Sequence, residues 1–177
     1  MPGLAPMASP IAALSGSWRV PARHVILVGL PGAGKSTVGG LLADALARPF
    51  VDFDVELARR AGRSVAEQFA HDGEPAFRAR EAELSRELAT ALADTGPMVL
   101  APGGGWLANA AAAAPLAPVG RTIYLRTSPT EALARLGDAV ATRPLLVADG
   151  DPRAALDGLL ARRAAAYERA DHRIETD

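Results

Sequence analysis

The sequence predicts an α/β protein whose core is a five-stranded parallel sheet with helices on both faces. Two observations lead to this prediction: short apolar segments alternate along the chain with longer helical patterns, and 49% of the 177 residues are hydrophobic. Strands that alternate with helices of this length pair in parallel, because each helix carries the chain back along the sheet. A chain of this size is expected to form one domain around one core.

The order of the elements follows from apolar periodicity and from the turn residues between segments. The expected strands are His24–Val28, Phe50–Phe53, Met98–Ala101, Thr122–Leu125 and His172–Glu175. The expected helices are Lys35–Ala47, Val55–Ala61, Val65–Ala70, Pro75–Leu92, Ala108–Ala114, Pro129–Leu136 and Pro152–Arg169. Pro75 and Pro129 suit the first turn of a helix, and Ser128 is a good N-cap. Ligands of such sheets bind beyond the carboxyl ends of the strands, so the loops that follow the strands are candidate sites.

Composition separates a leader, residues 1–22, from the expected single domain, residues 23–177. The leader is rich in Ala, Pro, Ser and Gly, and we expect it to be disordered. It lacks the basic start and the apolar block of a secretory signal. The alternatives for this segment are an organellar transit peptide or a translation start at Met7.

Charge and cysteine content exclude several classes of function. The net charge of −1 provides no basic field for nucleic acid or for an anionic membrane, and no segment has the ~20 apolar residues that span a bilayer. The absence of cysteine excludes disulfides, thiolate metal sites and a cysteine nucleophile. We therefore expect no nucleic-acid or membrane partners. The absence of cysteine allows a reducing compartment, and our expectation is a cytoplasmic monomer.

A phosphate-binding loop follows the first expected strand. Residues 29–36 read Gly-Leu-Pro-Gly-Ala-Gly-Lys-Ser, which matches G-x-x-x-x-G-K-S/T between a strand and a helix. The glycines let the backbone N–H groups turn toward phosphate oxygens, Lys35 reaches the β- and γ-phosphates, and the Ser36 hydroxyl binds Mg²⁺. The alternative, a glycine-rich turn with an exposed lysine, is disfavoured by the context. The motif predicts binding of ATP or a related nucleotide together with Mg²⁺, and it does not identify the acceptor.

Two aspartates follow the second expected strand. Asp52 and Asp54 lie two residues apart, so in an extended chain both side chains project toward the phosphate loop. A carboxylate in that position can orient a hydroxyl group and accept its proton. The alternative is that the pair caps the helix expected to begin at Val55, and Asp54 could serve both purposes.

Three arginines from distant segments form a candidate anion site. Arg78, Arg143 and Arg163 can converge only through the fold, and guanidinium groups bind carboxylates in bidentate pairs. Glu81 follows Arg78 by three residues on the same expected helix and can fix its orientation. We interpret Arg80 and Arg86 as part of a solvated helix face. Gly103–Gly105 follows the third strand, where a side chain would collide with a ligand or a backbone N–H must approach one.

These segments together resemble the shikimate kinases, which have the three-layer architecture of P-loop kinases and are similar to nucleoside monophosphate kinases in fold. The resemblance extends from about Val25 to Asp177. The ordered motifs that carry it are Gly29–Thr37, Asp52-Phe53-Asp54, Gly62-Arg63-Ser64, Asp72–Arg78, Gly103–Gly105, Arg143-Pro144-Leu145-Leu146 and Arg163–Tyr167.

The resemblance implies transfer of the ATP γ-phosphoryl group to the 3-hydroxyl of shikimate, a step toward chorismate and the aromatic amino acids. It implies that Lys35, Asp54 and Arg143 are catalytic and that Ser36 and Asp52 hold Mg²⁺. The implied nucleotide contacts are Gly32, Ala33, Gly34, Lys35, Ser36, Thr37, Arg135 and Arg143. The implied shikimate contacts are Asp54, Arg78, Gly103, Gly104, Gly105 and Arg163, with an apolar wall of Phe69, Phe77, Pro144 and Leu145. The substrate-binding region is expected at about residues 54–82 and a mobile lid at about residues 137–151.

The chain departs from the family pattern at two places. Trp106 stands where a small residue is common, and the sequence stops at Thr176-Asp177, whereas family members continue into an adenine-contacting loop and a last helix. Either the sequence is a shortened form or its adenine site lacks part of the usual wall.

The alternative functions are a gluconate or nucleoside monophosphate kinase and a nucleotide-binding regulatory module without turnover. Asp-x-Asp, the three glycines and Arg-Pro-Leu-Leu disfavour the other kinases, while the retained acceptor residues disfavour the module. His24, His71 and His172 show no ligand spacing, so we assign none of them to a metal or to catalysis.

Overall fold

The structure is a computed structural model that describes residues 23–147 and 150–177. Within these residues, five strands form one sheet in the order β2-β3-β1-β4-β5, and every neighbouring pair is parallel. The strands are β1 (His24–Val28), β2 (Phe50–Asp52), β3 (Val99–Ala101), β4 (Gly120–Arg126) and β5 (His172–Glu175). The predicted parallel sheet is therefore confirmed, and the prediction for residues 1–22 lies outside the described part of the chain.

Helices connect the strands in the predicted alternation. They are α1 (Lys35–Leu46), α2 (Phe53–Ala61), α3 (Val65–Thr95), α4 (Ala110–Ala113), α5 (Pro129–Leu136), α6 (Pro144–Val147) and α7 (Pro152–Tyr167). Short 3₁₀ segments cover Trp106–Ala108 and Gly137–Thr142. Ser128 caps α5 as predicted, because its side chain accepts a hydrogen bond from the Glu131 N–H. None of the helices described has the length and hydrophobicity that a bilayer span requires.

Several helix ends differ from the predictions by one to three residues, and two of the differences have clear physical reasons. Helix α2 begins at Phe53, two residues early, because the Asp52 carboxylate accepts hydrogen bonds from the Asp54 and Val55 N–H groups. The helices expected before and after residue 73 are joined in α3, with a kink at Gly73, where φ is 81° and ψ is 165°. This left-handed φ suits a residue without Cβ, and Pro75 then opens the second straight segment.

The helices form unequal layers on the two faces of the sheet. Helix α1 contributes Ala43 to a small cluster with Leu27 and Val99, whereas Ile26 and Val28 face the larger core on the opposite side. Leu27 faces one side of the sheet and Ile26 and Val28 the other because successive side chains of a strand point to opposite faces. Both layers leave the carboxyl ends of β1, β2 and β3 uncovered, and the loops that follow these strands meet there.

His24 is fully buried at the start of the central strand and connects three elements. Its Nε2 lies 3.2 Å from the Leu88 carbonyl oxygen, and its Nδ1 accepts a hydrogen bond of 3.1 Å from the Met98 N–H. Because Nδ1 accepts, the ring must be neutral with its proton on Nε2. Burial lowers the pKa of His24 below its usual 6.5. The residue is structural, in agreement with its exclusion from the candidate site residues.

The lowered pKa of His24 predicts a loss of stability in acid. The unfolded chain takes up a proton at about pH 6.5 and the folded chain only at lower pH, so the free energy of unfolding falls as pH falls below about 6.5. We expect His24→Gln, which removes the titrating ring and keeps an amide N–H that can reach the Leu88 carbonyl oxygen, to flatten this dependence by up to about 1.4 kcal/mol per pH unit in urea titrations between pH 7.5 and 5.

His172→Gln is the matched control for this prediction. His172 is exposed in β5, so its replacement should leave the acid dependence close to that of the parent chain. Equal slopes for the parent and His24→Gln would show that His24 does not control acid stability.

Candidate active site

The phosphate-binding loop connects β1 to α1 in the predicted position. Its glycines have left-handed φ values of 84° at Gly32 and 87° at Gly34, and an ideal Cβ on Gly32 would lie 2.3 Å from the Ala132 carbonyl oxygen. Side chains are therefore excluded at Gly32 by close packing as well as by backbone conformation. The loop directs the first turn of α1 into a cavity of about 530 Å³ at the carboxyl end of the sheet.

Lys35 begins α1 and lies in the wall of this cavity. Its Nζ donates hydrogen bonds to the carbonyl oxygens of Gly29, at 3.1 Å, and Leu30, at 3.0 Å. Burial lowers the pKa of Lys35 from 10.5 to about 8, against the opposing attraction of Asp54. Because loss of contact with water destabilises the ammonium, an anionic ligand beside it would offset that cost.

Asp52 has two structural partners at the mouth of the same cavity. Its Oδ1 accepts the N-cap hydrogen bonds of α2, while its Oδ2 accepts a hydrogen bond of 2.5 Å from the Ser36 hydroxyl. Two oxygen donors are therefore held together beside the phosphate loop. Within the described ranges, no group of three or more His, Cys, Asp or Glu side chains could hold a metal ion.

Asp54 faces the site from the first turn of α2, and this corrects our argument from strand geometry. Asp52 ends β2 and Asp54 is helical, so the pair does not project from an extended chain. Both carboxylates nevertheless line the cavity. Removal of Asp54 from bulk water raises its pKa, the Asp52 charge raises it further, and Lys35 and Arg143 oppose the rise.

The glycines after β3 lie against three charged side chains of the site. An ideal Cβ would lie 2.6 Å from Glu81 Oε1 if placed on Gly103 and 2.7 Å from Arg78 Nη2 if placed on Gly105. On Gly104 it would lie 3.2 Å from Arg163 Nη1. We expected a side chain here to collide with a ligand; the structure adds collisions with the charged groups of the protein itself.

Arg78 and Glu81 form the ion pair that their spacing predicts. Arg78 Nη1 donates to Glu81 Oε2 at 2.6 Å, and Nη2 donates to Glu74 at 2.8 Å. Glu81 is fully buried, and its Oε1 has no hydrogen-bond partner among the described residues. The Arg78 guanidinium also lies 6.0 Å from the Phe69 ring centroid and 5.8 Å from that of Phe77, within range of cation–π attraction.

Arg80 corrects another interpretation from the sequence. The sequence favours a solvated helix face for Arg80 and Arg86, but in the structure Arg80 Nη2 donates to Asp72 Oδ2 at 2.5 Å and its Nη1 donates to Gln68 at 3.2 Å. These contacts cross the kink at Gly73, so Arg80 ties the two segments of α3 together. Arg86 pairs with Glu83 on the surface, as expected.

Arg163 reaches the site from α7 and is 8% exposed. The same helix supplies Tyr167, which stacks on Tyr124 and whose hydroxyl donates a hydrogen bond of 2.6 Å to the Gly104 carbonyl oxygen. Burial raises the pKa of Tyr167 to about 12, which keeps the phenol a donor. No role for Tyr167 follows from the sequence, although it ends one of the motifs that carry the family resemblance.

The segment expected to form the lid contains a 3₁₀ turn and α6 and carries Arg143 between them. Arg143 Nη1 lies 3.8 Å from Asp54 Oδ2, and its Nε has no hydrogen-bond partner in the described part of the chain.

Arg135 lines the cavity of the phosphate loop. It donates a hydrogen bond to Glu131 at 2.8 Å and another to the Thr176 carbonyl oxygen. Movement of the lid and stacking of Arg135 on adenine stay predictions.

Trp106 is a positioning group that the sequence did not reveal. It is fully buried, its indole N–H donates a hydrogen bond of 2.9 Å to the Ser85 hydroxyl, and its ring meets Phe53 edge to face at 6.5 Å. Its backbone N–H donates to Gly103. The large side chain thus joins the glycine turn to α3 and to Phe53, the residue between the two aspartates.

Two cavities meet at the centre of this arrangement. The second measures about 580 Å³ and is lined by Arg78, Arg163 and the predicted apolar wall. The residues that line both cavities are Pro31, Asp54, Gly103, Gly104 and Arg143. The predicted site residues are therefore divided between two adjoining cavities, with Asp54 and Arg143 at their boundary.

Comparisons with known proteins agree with this geometry. A family model described as shikimate kinase matches residues 31–177. A shikimate kinase of Thermobifida fusca is 46% identical over 143 residues, which cover 81% of this chain and 78% of the relative. One from Rhodococcus jostii is 43% identical over 158 residues, which cover 88% and 89% of the two chains.

A solved structure with a similar fold is also that of a shikimate kinase. The shikimate kinase of Acinetobacter baumannii in complex with shikimate superposes with a TM-score of 0.80 and 36% identity, and the match covers 89% of this chain and 85% of that one. A family match over most of the chain and relatives above 40% identity agree with the two-cavity site at the carboxyl ends of the strands. The chain belongs to the shikimate kinase family.

Proposed function

We propose that this protein transfers the γ-phosphoryl group of ATP to the 3-hydroxyl of shikimate, giving ADP and shikimate 3-phosphate. The observation that carries the proposal is the boundary between the two cavities, where Asp54 and Arg143 line both. The phosphate loop lines one cavity, and Arg78 and Arg163 line only the other. An acceptor and a phosphoryl donor bound in the two cavities would meet at Asp54.

The nucleotide side is the cavity of the phosphate loop. Lys35 would bind the β- and γ-phosphates, and the backbone of residues 32–37 would surround them. Ser36 and Asp52 fit Mg²⁺, since their paired oxygens are hard donors and this ion keeps water and phosphate oxygens as its other ligands. When bound, the ion would neutralise charge on the phosphates.

The acceptor side suits a small ring that carries a carboxylate. Arg78 and Arg163 line this cavity and can bind the carboxylate in bidentate pairs. Phe69, Phe77 and Leu145 provide an apolar surface for the ring. The Gly103–Gly105 turn also lines this cavity, so its backbone could bind the hydroxyl groups of the ring.

The chemical step needs a proton acceptor and positive charge at the boundary. We assign Asp54 as the base that orients the 3-hydroxyl and accepts its proton. Lys35 and Arg143 would stabilise the charge on the transferring group, and closure of residues 137–151 would exclude water. No covalent intermediate is required, because donor and acceptor meet directly.

The protein would act in the cytoplasm as a monomer. The neutral balance of 19 basic and 20 acidic residues gives it no attraction to nucleic acid or to an anionic membrane.

Asp54→Asn tests the assignment of the base. We expect coupled ADP release with MgATP and shikimate to fall by about 10²–10⁴-fold in kcat, with nucleotide affinity retained. Because the base must be ionised and its pKa is raised, kcat/KM of the parent should fall as pH falls through that raised pKa.

Asp44→Asn is the matched control, since Asp44 is exposed on α1, and it should leave turnover unchanged. Turnover by the parent with gluconate but not with shikimate would contradict the proposal. Nucleotide affinity without any acceptor-dependent ADP release would indicate the regulatory module instead.

Arg163→Lys tests the carboxylate site. Lysine keeps the charge but loses the bidentate geometry, so we expect KM for shikimate to rise about 10–100-fold while KM for ATP changes little. Arg86→Lys replaces an exposed surface arginine of α3 and is the control. An unchanged KM for shikimate in Arg163→Lys would remove Arg163 from the acceptor site.

Gly105→Ala tests whether the glycine turn positions Arg78. The new Cβ would lie 2.7 Å from Arg78 Nη2, so the guanidinium must shift and KM for shikimate should rise about tenfold. Gly40→Ala is the control, because a Cβ at Gly40 meets no atom within 4 Å. A normal KM for shikimate in Gly105→Ala would show that Arg78 tolerates the displacement.

A further inference from the structure

The acceptor side of the site is built from chain segments whose relative positions must be fixed. Asp54 lies in the first turn of α2, Phe69 lies before the kink of α3 and Arg78 lies after it. All three side chains line the cavity of about 580 Å³. An acceptor whose carboxylate is bound by Arg78 brings its hydroxyl to Asp54 only if α2 and the second segment of α3, residues 75–95, keep their separation.

The kink at Gly73 does not by itself fix the angle between the two segments of α3. The φ of 81° and ψ of 165° at Gly73 are not helical, and Pro75 has no N–H with which to continue the helical hydrogen bonds. Contacts between side chains on either side of the kink must therefore set this angle.

Gln68 is fully buried, and its side-chain amide contacts three segments at once. Its Nε2 donates hydrogen bonds to the carbonyl oxygens of Leu57, at 3.2 Å, and Arg63, at 3.1 Å, which lie in α2 and in the turn after it. Its Oε1 accepts a hydrogen bond of 3.2 Å from Arg80 Nη1, beyond the kink. One side chain thereby joins α2, the turn after it and the second segment of α3.

Arg80 makes a second contact across the kink. Its Nη2 donates a hydrogen bond of 2.5 Å to Asp72 Oδ2, which also accepts one of 3.3 Å from Arg63 Nη2. The Asp72 carboxylate is thus shared by one cation from each side of the kink. Because the guanidinium is planar and its donors are held by two acceptors, Asp72 and Gln68, few orientations of the second segment satisfy both contacts.

We propose that Gln68 and Arg80 are positioning residues of the acceptor site, which set the separation between its base and its carboxylate-binding arginine. Neither side chain lines the cavity of about 580 Å³, so both act through the helices and not by touching the acceptor. Leu57 follows Asp54 by three residues on α2, and Arg80 follows Arg78 by two on α3. A shift at the Gln68–Arg80 contact therefore moves the two groups that bind the acceptor. The inference rests on the proposed function for the identity of that acceptor.

Positioning and a purely structural role predict different kinetics. If α2 and the second segment of α3 shift against each other, a carboxylate bound by Arg78 no longer brings the hydroxyl to Asp54, so KM for shikimate rises and kcat falls. The hydrogen bonds of Gln68 and Arg80 within the described residues do not reach β1 or α1, which hold the phosphate loop, so KM for ATP should not change. A purely structural role would lower the amount of folded protein and leave both KM values unchanged.

Arg80→Met tests the proposal, because methionine keeps a long unbranched side chain but can donate neither hydrogen bond. In coupled ADP release with the full chain, we expect KM for shikimate to rise about tenfold and kcat to fall about tenfold, with KM for ATP within about twofold of the parent value. Arg86→Met is the matched control, since Arg86 lies on the same helix segment and its side chain pairs with Glu83 on the surface. The control should change none of the three constants.

Two further variants separate positioning from stability, and urea titrations show that each variant is folded under the assay conditions. Arg80→Lys can donate to Asp72 but cannot reach both acceptors in the same geometry, so its KM for shikimate should lie between those of the parent and Arg80→Met. If Arg80→Met does not fold, Arg80→Lys provides the test, with the same direction of change. Gln68→Leu combined with Arg80→Met should cost little more in kcat/KM than the worse single variant, because both remove one shared contact.

Three results would overturn the proposal: an unchanged KM for shikimate in the folded Arg80 variants, equal rises in KM for shikimate and for ATP, or fully additive losses in the double variant. The outcomes also separate this inference from the proposed function. Normal shikimate turnover by the parent with an unchanged KM in the Arg80 variants would contradict the inference alone. A parent chain without shikimate-dependent ADP release would contradict the proposed function, and the inference with it.

Discussion

The close contact between Gly103–Gly105 and the charged groups on α3 and α7 is the constraint on which the site depends. Three charged side chains lie directly against this backbone, because glycine has no side chain that would hold them away: Arg78, Glu81 and Arg163. Glu81 is buried beside Arg78, and that burial is tolerable because one of its oxygens is paired at 2.6 Å. The Tyr167 hydroxyl then ties the middle glycine to α7. The cations are therefore oriented before any ligand arrives, which lowers the cost of binding an anion.

The sheet supplies the frame for this contact. Strands β1 and β3 are neighbours, so the phosphate loop and the glycine turn leave the sheet side by side. Strand β2 is next to β3 and places the aspartates opposite the phosphate loop. The two cavities adjoin because the strands that lead into their walls are neighbours in the sheet. Some of these strands, such as β1 and β3, are far apart in the sequence.

Local features of the sequence were enough to predict the phosphate loop, the alternation of strands and helices, and the Arg78–Glu81 pair. Each depends on residues that are close along the chain. The start of α2 was misplaced because the Asp52 side chain competes with the strand for the backbone of the next residues. The role of Trp106 could not be predicted, since its partner Ser85 lies 21 residues away and no local pattern marks the pair. Arg80 was misjudged for the same reason, as its contacts extend across the kink.

The position of β1 in the middle of the sheet affects how the protein folds. Of the five strands in the described residues, β1 is synthesised first, yet Val25 pairs with Val99 and Arg121, which leave the ribosome much later. Pairings between such distant residues form slowly, because long loops must close first. Until β3 and β4 are in place, the exposed segment Val25–Val28 is an apolar strand without partners and a potential site of aggregation. The phosphate loop acquires its cavity only when those pairings are complete, so nucleotide would bind to finished molecules and draw the folding equilibrium toward them.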